Sequence, residues 1–327
     1  MSIDSLGGAR PGRDRVAAQQ CAGAVLMIKP AAFEYNPETA ATNMLQKVGG
    51  TGERDRQAAL HEFDHFANAL RSEGIAVCVA QDTPSPPKPD AVFPNNWVSF
   101  HEDGTVVLYP MQAESRRRER RREVVEQVTE QLGFEVTRTV DLTKHEVAGR
   151  YLEGTGSLVL DHVSRAAYAC ISPRTHPAVV QEWADALGYQ AVVFEASDRN
   201  GVPYYHTNVM MCVGSRMAIL GTSAISTRDR DRVMEQLASS GRDIVEIGYE
   251  EIGQFAGNML ELASWDEALG DCRLLVMSDT ARRALRPDVY GRLSASTDCV
   301  LAVPVPTIER LGGGGVRCML AEVFVHS

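Results

Sequence analysis

One pattern recurs along this chain at intervals of roughly 50 to 60 residues, and repeats of that length have to be read before any single motif. After Phe93, the runs WVSF and TVVLYP flank a polar turn, HEDG. A helical segment follows, for which Ser115 is a candidate cap, with Val125, Val128 and Leu132 on one face and Gly133 as the stop, and FEVTRTV reads as a further strand. The same order returns in SLVLDHVSRAAYACI, then THPAVVQEWADALG with Pro177 near the helix start and Gly188 at its end, then YQAVVFEA. A third copy is HTNVMMCVGSRMAILG, RDRDRVMEQLASSG and RDIVEI. A fourth is GNMLELA, DCRLLVMS, a helix from about Asp279, and DCVLAVPV. The fifth is split between the ends of the chain. RCMLAEVFVHS supplies one strand, and AGAVLMIKP, a helix from about Glu53 to Arg71, and GIAVCVA supply the rest. Each unit alone leaves an apolar face uncovered, so neighbours must cover one another. The expectation is an α/β propeller of five pseudosymmetric strand–strand–helix–strand units, closed by both termini. It forms one domain over 21–327 after a flexible polar tail over 1–20.

Composition excludes several classes. Thirty-three basic residues stand against 43 acidic ones, a net charge of −10, which argues against a nucleic-acid scaffold. No apolar run approaches the ~20 residues that span a bilayer, and MSIDSLGGARPGRDR carries no apolar secretory core. A cytoplasmic protein is expected, free of nucleic acid and membrane, with homo-oligomerisation left open. None of the seven cysteines is in CxxC spacing, and Cys78, Cys170, Cys212 and Cys299 lie in strand-like runs, as buried reduced thiols do.

Each unit opens with polar or reactive side chains just before an apolar strand: Asn95 and Asn96, Glu153, His206 with Asn208, Asn258, and Cys318. Taken singly, each has an ordinary explanation: a packed thiol, a core histidine, a turn-capping glutamate, turn-forming asparagines. Their common phase is what matters, because equivalent positions in a ring converge on its axis. A cysteine, a histidine and a carboxylate that meet can do nucleophilic chemistry. The thiolate attacks, the imidazole moves protons, and the carboxylate orients the imidazole or holds a cationic substrate. The glycine run Gly312 to Gly315 lets backbone approach a ligand closely, but it lacks the Lys-Ser or Lys-Thr pair of a phosphate loop.

FPNNW, LEGTG, HTNV, AGNMLEL and GGGGVRCMLAEVF resemble the guanidino-group-modifying superfamily, the penteins, over nearly all of 22–327. They are most similar to its arginine-deiminase-related branch that uses citrulline. The resemblance implies Cys318 as nucleophile, His206 as general acid/base, and Glu153 as the carboxylate touching substrate and histidine, with no metal or organic cofactor. Arginine-processing members grip the guanidinium with an acid on the first unit. Here PNNWVSFH has amides in that place, and Asn208 replaces an aspartate common in relatives. A neutral ureido group suits amides, which both donate and accept. The resemblance therefore implies hydrolysis of citrulline to ornithine, carbon dioxide and ammonia through a thio-linked intermediate. Arginine deimination, dimethylarginine hydrolysis and amidino transfer are the alternatives. Asn95, Asn96, Asn208 and Asn258 become candidate substrate contacts. MQAESRRRE resembles the stretch whose arginine binds the substrate carboxylate, which points to one of Arg116, Arg117 and Arg118.

Two other readings compete. His61-Glu62-Phe63-Asp64-His65 spells the HExxH of zinc proteases, yet the apolar stripe Leu60, Phe63, Ala67 and Leu70 would turn both histidines to solvent. A non-catalytic binding protein on the same fold would have no reason to keep Cys, His and Glu in phase.

Overall fold

The structure, a computed structural model, describes residues 20–48, 52–266 and 270–325. The first 19 residues of the expected tail lie outside this set. Gln20 is buried and donates to the carbonyls of Leu160 and Val213.

Fifteen short strands form five three-stranded sheets among the described residues. In chain order they begin with β1 (Ala24–Lys29) and β2 (Ala76–Gln81), then β3 (Val98–Phe100), β4 (Thr105–Leu108) and β5 (Arg138–Asp141). Next come β6 (Leu158–Asp161), β7 (Ala166–Cys170) and β8 (Gln190–Phe194), followed by β9 (Met211–Val213), β10 (Met217–Leu220) and β11 (Asp243–Glu246). The series ends with β12 (Leu260–Asp266), β13 (Gly270–Ser278), β14 (Cys299–Val303) and β15 (Ala321–Val323). In the four internal sheets the first strand is antiparallel to the second, and the second is parallel to the third across a helix. That is the connection a parallel pair requires. The fifth sheet uses both ends of the chain. β15 lies antiparallel to β1, with Ala24 opposite Val323, and β2 lies parallel to β1, with Ala24 opposite Ala76. The result is a mixed α/β fold in which no sheet closes on itself.

The helices stop where the sequence says they should. Gly133 and Gly188 take left-handed φ values of 70° and cap the helices Arg122–Leu132 and Pro177–Leu187. In the first, Val124 and Val128 are buried while Val125 and Leu132 are half-buried; in the second, Val180, Trp183 and Leu187 are buried. Two local expectations fail. Ser115 does not cap the long helix: it sits in a separate turn, Glu114–Arg117, where its amide and hydroxyl bond Glu38, and Arg121 is the N-cap residue. FEVTRTV is a strand only over Arg138–Asp141. The helix expected from about Asp279 does begin there; it ends at Ala284, and a second begins at Pro287, whose missing N–H is harmless in a first turn. Cys78, Cys170 and Cys212 are buried, and Cys299, on β14, is half-buried.

The HExxH stretch lies in the helix Glu53–Ser72 with His61 and His65 exposed. No group of three or more His, Cys, Asp or Glu side chains among the described residues is arranged to hold a metal ion. The buried face runs through Ala59, Phe63, Phe66, Ala67 and Leu70, with Leu60 only half-buried. Glu62 points inward and accepts the backbone N–H groups of Thr307 (2.9 Å) and Ile308 (3.0 Å). These are orphan donors of the helix Pro306–Gly312, which leads into the glycine run. Glu62→Ala is expected to cost about 1–2 kcal/mol in urea unfolding, since it strands those donors. Glu62→Gln should lose less, and chelator treatment should leave the melting temperature unchanged. A chelator-sensitive melt would restore the metal reading.

Candidate active site

Every side chain singled out at a unit's start sits on a short turn directly before that unit's first strand. Asn95 and Asn96 lie in Pro94–Asn96, Glu153 precedes Gly154–Ser157, His206 precedes Thr207–Val209, Asn258 lies just ahead of β12, and Cys318 lies in Val316–Met319. The turns touch one another. Thr155 Oγ1 donates to Asn95 O (3.5 Å), Thr207 Oγ1 to Ser157 O (2.6 Å), and Asn258 Nδ2 to Asn208 O (3.0 Å). Glycine permits the closest approaches. A Cβ on Gly156 would stand 2.7 Å from His206 Nδ1, and one on Gly314 would stand 2.9 Å from the Phe93 ring and 3.2 Å from Cys318 Cβ.

Cys318 and His206 line one cavity, with Asn96, Arg116, Arg174, Asp90, Phe93, Tyr205, Thr39, Asn43 and the glycine loop. Tyr205 fixes that loop by donating to Gly313 O at 2.6 Å. Glu153 lies behind His206 with no solvent exposure. Its Oε2 is 2.9 Å from His206 Nε2, 3.5 Å from Arg174 Nη1 and 3.8 Å from Arg116 Nη1, and its Oε1 accepts the N–H of Gln112 at 3.1 Å. Burial would raise the Glu153 pKa, but Arg174, His206 and Arg116 outweigh it and hold the carboxyl well below the usual range. The ionised carboxylate can only accept, so His206 carries its proton on Nε2 and keeps the Nδ1 lone pair. Burial drives the His206 pKa down to about 4 despite Glu153, and the imidazole is neutral near pH 7. Cys318 is raised by burial, partly offset by the Asn258 hydrogen bond, Arg317 and the Asn208 hydrogen bond. A neutral thiol and a neutral imidazole lining one cavity are a pair in which a base can take the sulfur's proton when substrate arrives.

The remaining candidates separate. Asn96 faces the cavity, accepting from Arg116 Nη1 (2.7 Å) and donating to Asn95 Oδ1 (3.0 Å), so Asn95 is a buried support and not part of the wall. Asn208 and Asn258 reach the sulfur, with Nδ2 atoms 3.6 and 3.3 Å from Sγ. Of the three arginines only Arg116 is buried in the wall, clamped by both carboxylate oxygens of Glu119 at 2.9 Å. Arg117 turns to Met111 O and Gln112 O, and Arg118 is exposed.

Sequence reasoning passed over Asp90, Glu119 and Arg174. The first unit does bring an acid to the cavity. Asp90, six residues before Asn96, binds Asn36 Nδ2 (2.8 Å) and Thr39 Oγ1 (3.0 Å) through Oδ2, while its buried Oδ1 has no partner. Burial raises the Asp90 pKa against Arg116, and the same balance lifts Glu119 to about 7. Arg174 donates to Thr39 O (2.6 Å) and Thr42 Oγ1 (2.9 Å) and lies over the Tyr205 ring. It sits between the second strand and the helix of its unit, the phase Arg116 occupies in the unit before, and that equivalence was the available signal.

If the neutral imidazole is the working base, kcat/KM should hold from neutral pH downward and fall as pH drops through about 4, where His206 takes a proton. Glu153→Gln, which no longer requires the proton on Nε2, should lower kcat by about 10²–10⁴-fold and distort that acid limb; an unchanged pH–rate profile would remove Glu153 from the mechanism.

Comparison with known proteins gives a consistent result. The family described as N,N dimethylarginine dimethylhydrolase, eukaryotic, matches residues 29–325. No curated protein matches the chain by sequence. Among solved structures, apo ArgZ, an arginine dihydrolase from the ornithine-ammonia cycle in cyanobacteria, is 17% identical with a TM-score of 0.69. The match covers 93% of this chain and 41% of ArgZ, so the chain spans about two-fifths of that protein. The N-terminal domain of ArgZ, bound to substrate as a cysteine-to-serine variant, gives 17% identity and a TM-score of 0.69 over 92% of this chain and 98% of that one. DDAH from Pseudomonas aeruginosa, in a cysteine-to-serine variant complexed with citrulline, gives 18% and 0.62 over 92% and 99%. At these identities the likeness to the solved structures is one of fold.

Proposed function

The chain belongs to the N,N dimethylarginine dimethylhydrolase family of the guanidino-group-modifying superfamily, and from that premise we propose that it is a cysteine hydrolase that cleaves C–N bonds at the central carbon of a ureido or guanidino group, with citrulline as substrate and ornithine, carbon dioxide and ammonia as products. The observation that carries this reading is the meeting of Cys318 and His206 in one cavity, with Glu153 bonded behind the imidazole. The imidazole takes the thiol proton, the sulfur attacks the ureido carbon, and His206 returns the proton to the departing nitrogen. Water, deprotonated by the same imidazole, then displaces the sulfur, and the carbamate released breaks its remaining C–N bond to give carbon dioxide and the second amine. Arg174 takes the substrate α-carboxylate, with Arg116 beside it holding Asn96 in place. The proposal also makes 21–327 a single catalytic domain, with the five sheets as blades of a closed pseudosymmetric propeller around the cavity. The contacts between successive turns support this, as does the bond from Ala263 N to Ala22 O (3.0 Å), which ties the fourth unit to the fifth.

A second reading, arginine as substrate, is favoured by one observation. The unpartnered Oδ1 of Asp90 is an acceptor suited to a guanidinium. The two readings differ in stoichiometry. Citrulline hydrolysis releases one ammonia per ornithine, arginine dihydrolysis releases two, and deimination stops at citrulline. Citrulline, arginine, dimethylarginine and agmatine should be assayed side by side for ammonia, dimethylamine and ornithine. Turnover of citrulline, and its complete loss in a folded Cys318→Ala variant, is the expected result. Full activity of that variant would overturn the hydrolase mechanism, and ornithine with two ammonia from arginine would move the assignment to the second reading.

A further inference from the structure

The sulfur of Cys318 is met by carboxamides from two other units. Asn258 Nδ2 lies 3.3 Å from Sγ and also 3.0 Å from the backbone oxygen of Asn208. A carbonyl oxygen only accepts, so this contact fixes which end of the Asn258 amide is nitrogen, and an N–H faces the sulfur. Gly315 makes room for the other end, since a Cβ there would stand 2.7 Å from Asn258 Oδ1. Asn208 presents both of its atoms. Nδ2 is 3.6 Å from Sγ and Oδ1 is 3.9 Å away, so one side chain can accept from the thiol and donate to the thiolate. Cys318, Asn208 and Asn258 are 4%, 1% and 2% exposed, and water contributes little in such a place.

The charged groups around this cluster are largely committed elsewhere. Arg317, on the same turn as Cys318, pairs with Glu322 at 2.8 Å and donates to Leu320 O at 2.9 Å. Across the cavity, Arg116 pairs with Glu119, and Arg174 lies against Glu153. His206, Tyr205 and Asp90 complete the titratable set facing the sulfur. The direct contacts made to Sγ are therefore neutral amides.

We infer that Asn208 and Asn258 are the thiolate-binding residues of this site, and that they let Cys318 ionise without a positive charge on the substrate, which suits the site to a neutral ureido group. The inference rests on Cys318 being the nucleophile. On ionisation the proton passes from Sγ to His206, whose positive charge Glu153 balances, so no proton leaves the site. The S–C bond then forms, and the same proton goes to the leaving nitrogen as the C–N bond breaks. A guanidinium would bring its own positive charge to the sulfur; a ureido group brings none, and the donors must come from the protein. An aspartate at 208 would oppose ionisation for a ureido substrate and suit only a cation.

The test is the rate of Cys318 alkylation by iodoacetamide against pH, with the labelled residue identified by mass spectrometry, in the intact protein and in Asn258→Ala, Asn208→Ala and Asn208→Asp. The midpoint of the profile should rise by about one pH unit in each alanine variant, which is about tenfold slower labelling at neutral pH, and further in Asn208→Asp. For citrulline, kcat should fall by a similar factor with KM little changed, and Asn208→Asp should shift the kcat/KM ratio toward arginine. Unmoved midpoints in the alanine variants overturn the inference, as does an Asn208→Asp variant that keeps full citrulline turnover. If Asn258→Ala fails to fold, the two Asn208 variants decide alone. Activity that survives complete alkylation of Cys318 would overturn the hydrolase mechanism itself. Activity lost on alkylation with unmoved midpoints would overturn only the role of the amides.

Discussion

A carboxylate sealed from solvent must be compensated by the protein around it, and Glu153 is compensated by three separate parts of the chain. The first unit supplies the N–H of Gln112 and the Arg116 guanidinium, the second supplies Arg174, and the third supplies His206. Leaving any of these buried groups unmatched would be strongly destabilising. The position of the carboxylate therefore sets the spacing of three units at once. It also decides the imidazole tautomer, so the side chain that answers the electrostatic requirement of the fold also sets which ring nitrogen of His206 keeps its lone pair.

The architecture divides labour along each unit. Apolar strands and the helix faces behind them make the core, while the turn ahead of the first strand carries the polar atoms. Those turns are packed against one another so tightly that glycine is needed where they touch, at Gly156 beside His206 and at Gly314 beside Phe93. The other end of the loop that carries Cys318 is held from an unexpected quarter. Glu62, the glutamate of a sequence that spells a zinc-protease motif, caps the short helix leading into the glycines. The motif's letters are present, but its histidines face solvent while its acid faces inward.

Charges of both signs meet around the cavity. Asp90, Glu119 and Glu153 stand against Arg116 and Arg174, and burial pushes His206 and Cys318 toward their neutral forms. In the proposed mechanism, a proton moved from sulfur to imidazole leaves each charge next to a partner: amide N–H groups on one side and a carboxylate on the other.

The periodic order of apolar runs and turns was enough to reveal five strand–strand–helix–strand units, the sharing of the fifth between the two termini, and the common phase of Glu153, His206, Asn258 and Cys318. Those features repeat, and repetition is visible in one dimension. The helix stops at Gly133 and Gly188 were legible for a local reason, since a left-handed residue favours glycine. Tertiary structure alone decided which side chain of each polar cluster faces the cavity. Asn96 faces it while Asn95 backs it; Arg116 faces it while Arg117 and Arg118 turn away. Neighbours in sequence point in different directions, and only packing selects among them. The roles of Asp90 and Arg174 were hidden because they lie outside the turns whose phase drew attention. They enter the cavity through ion pairs and hydrogen bonds between units, and the strength of such bonds depends on distances and burial that a list of residues does not contain.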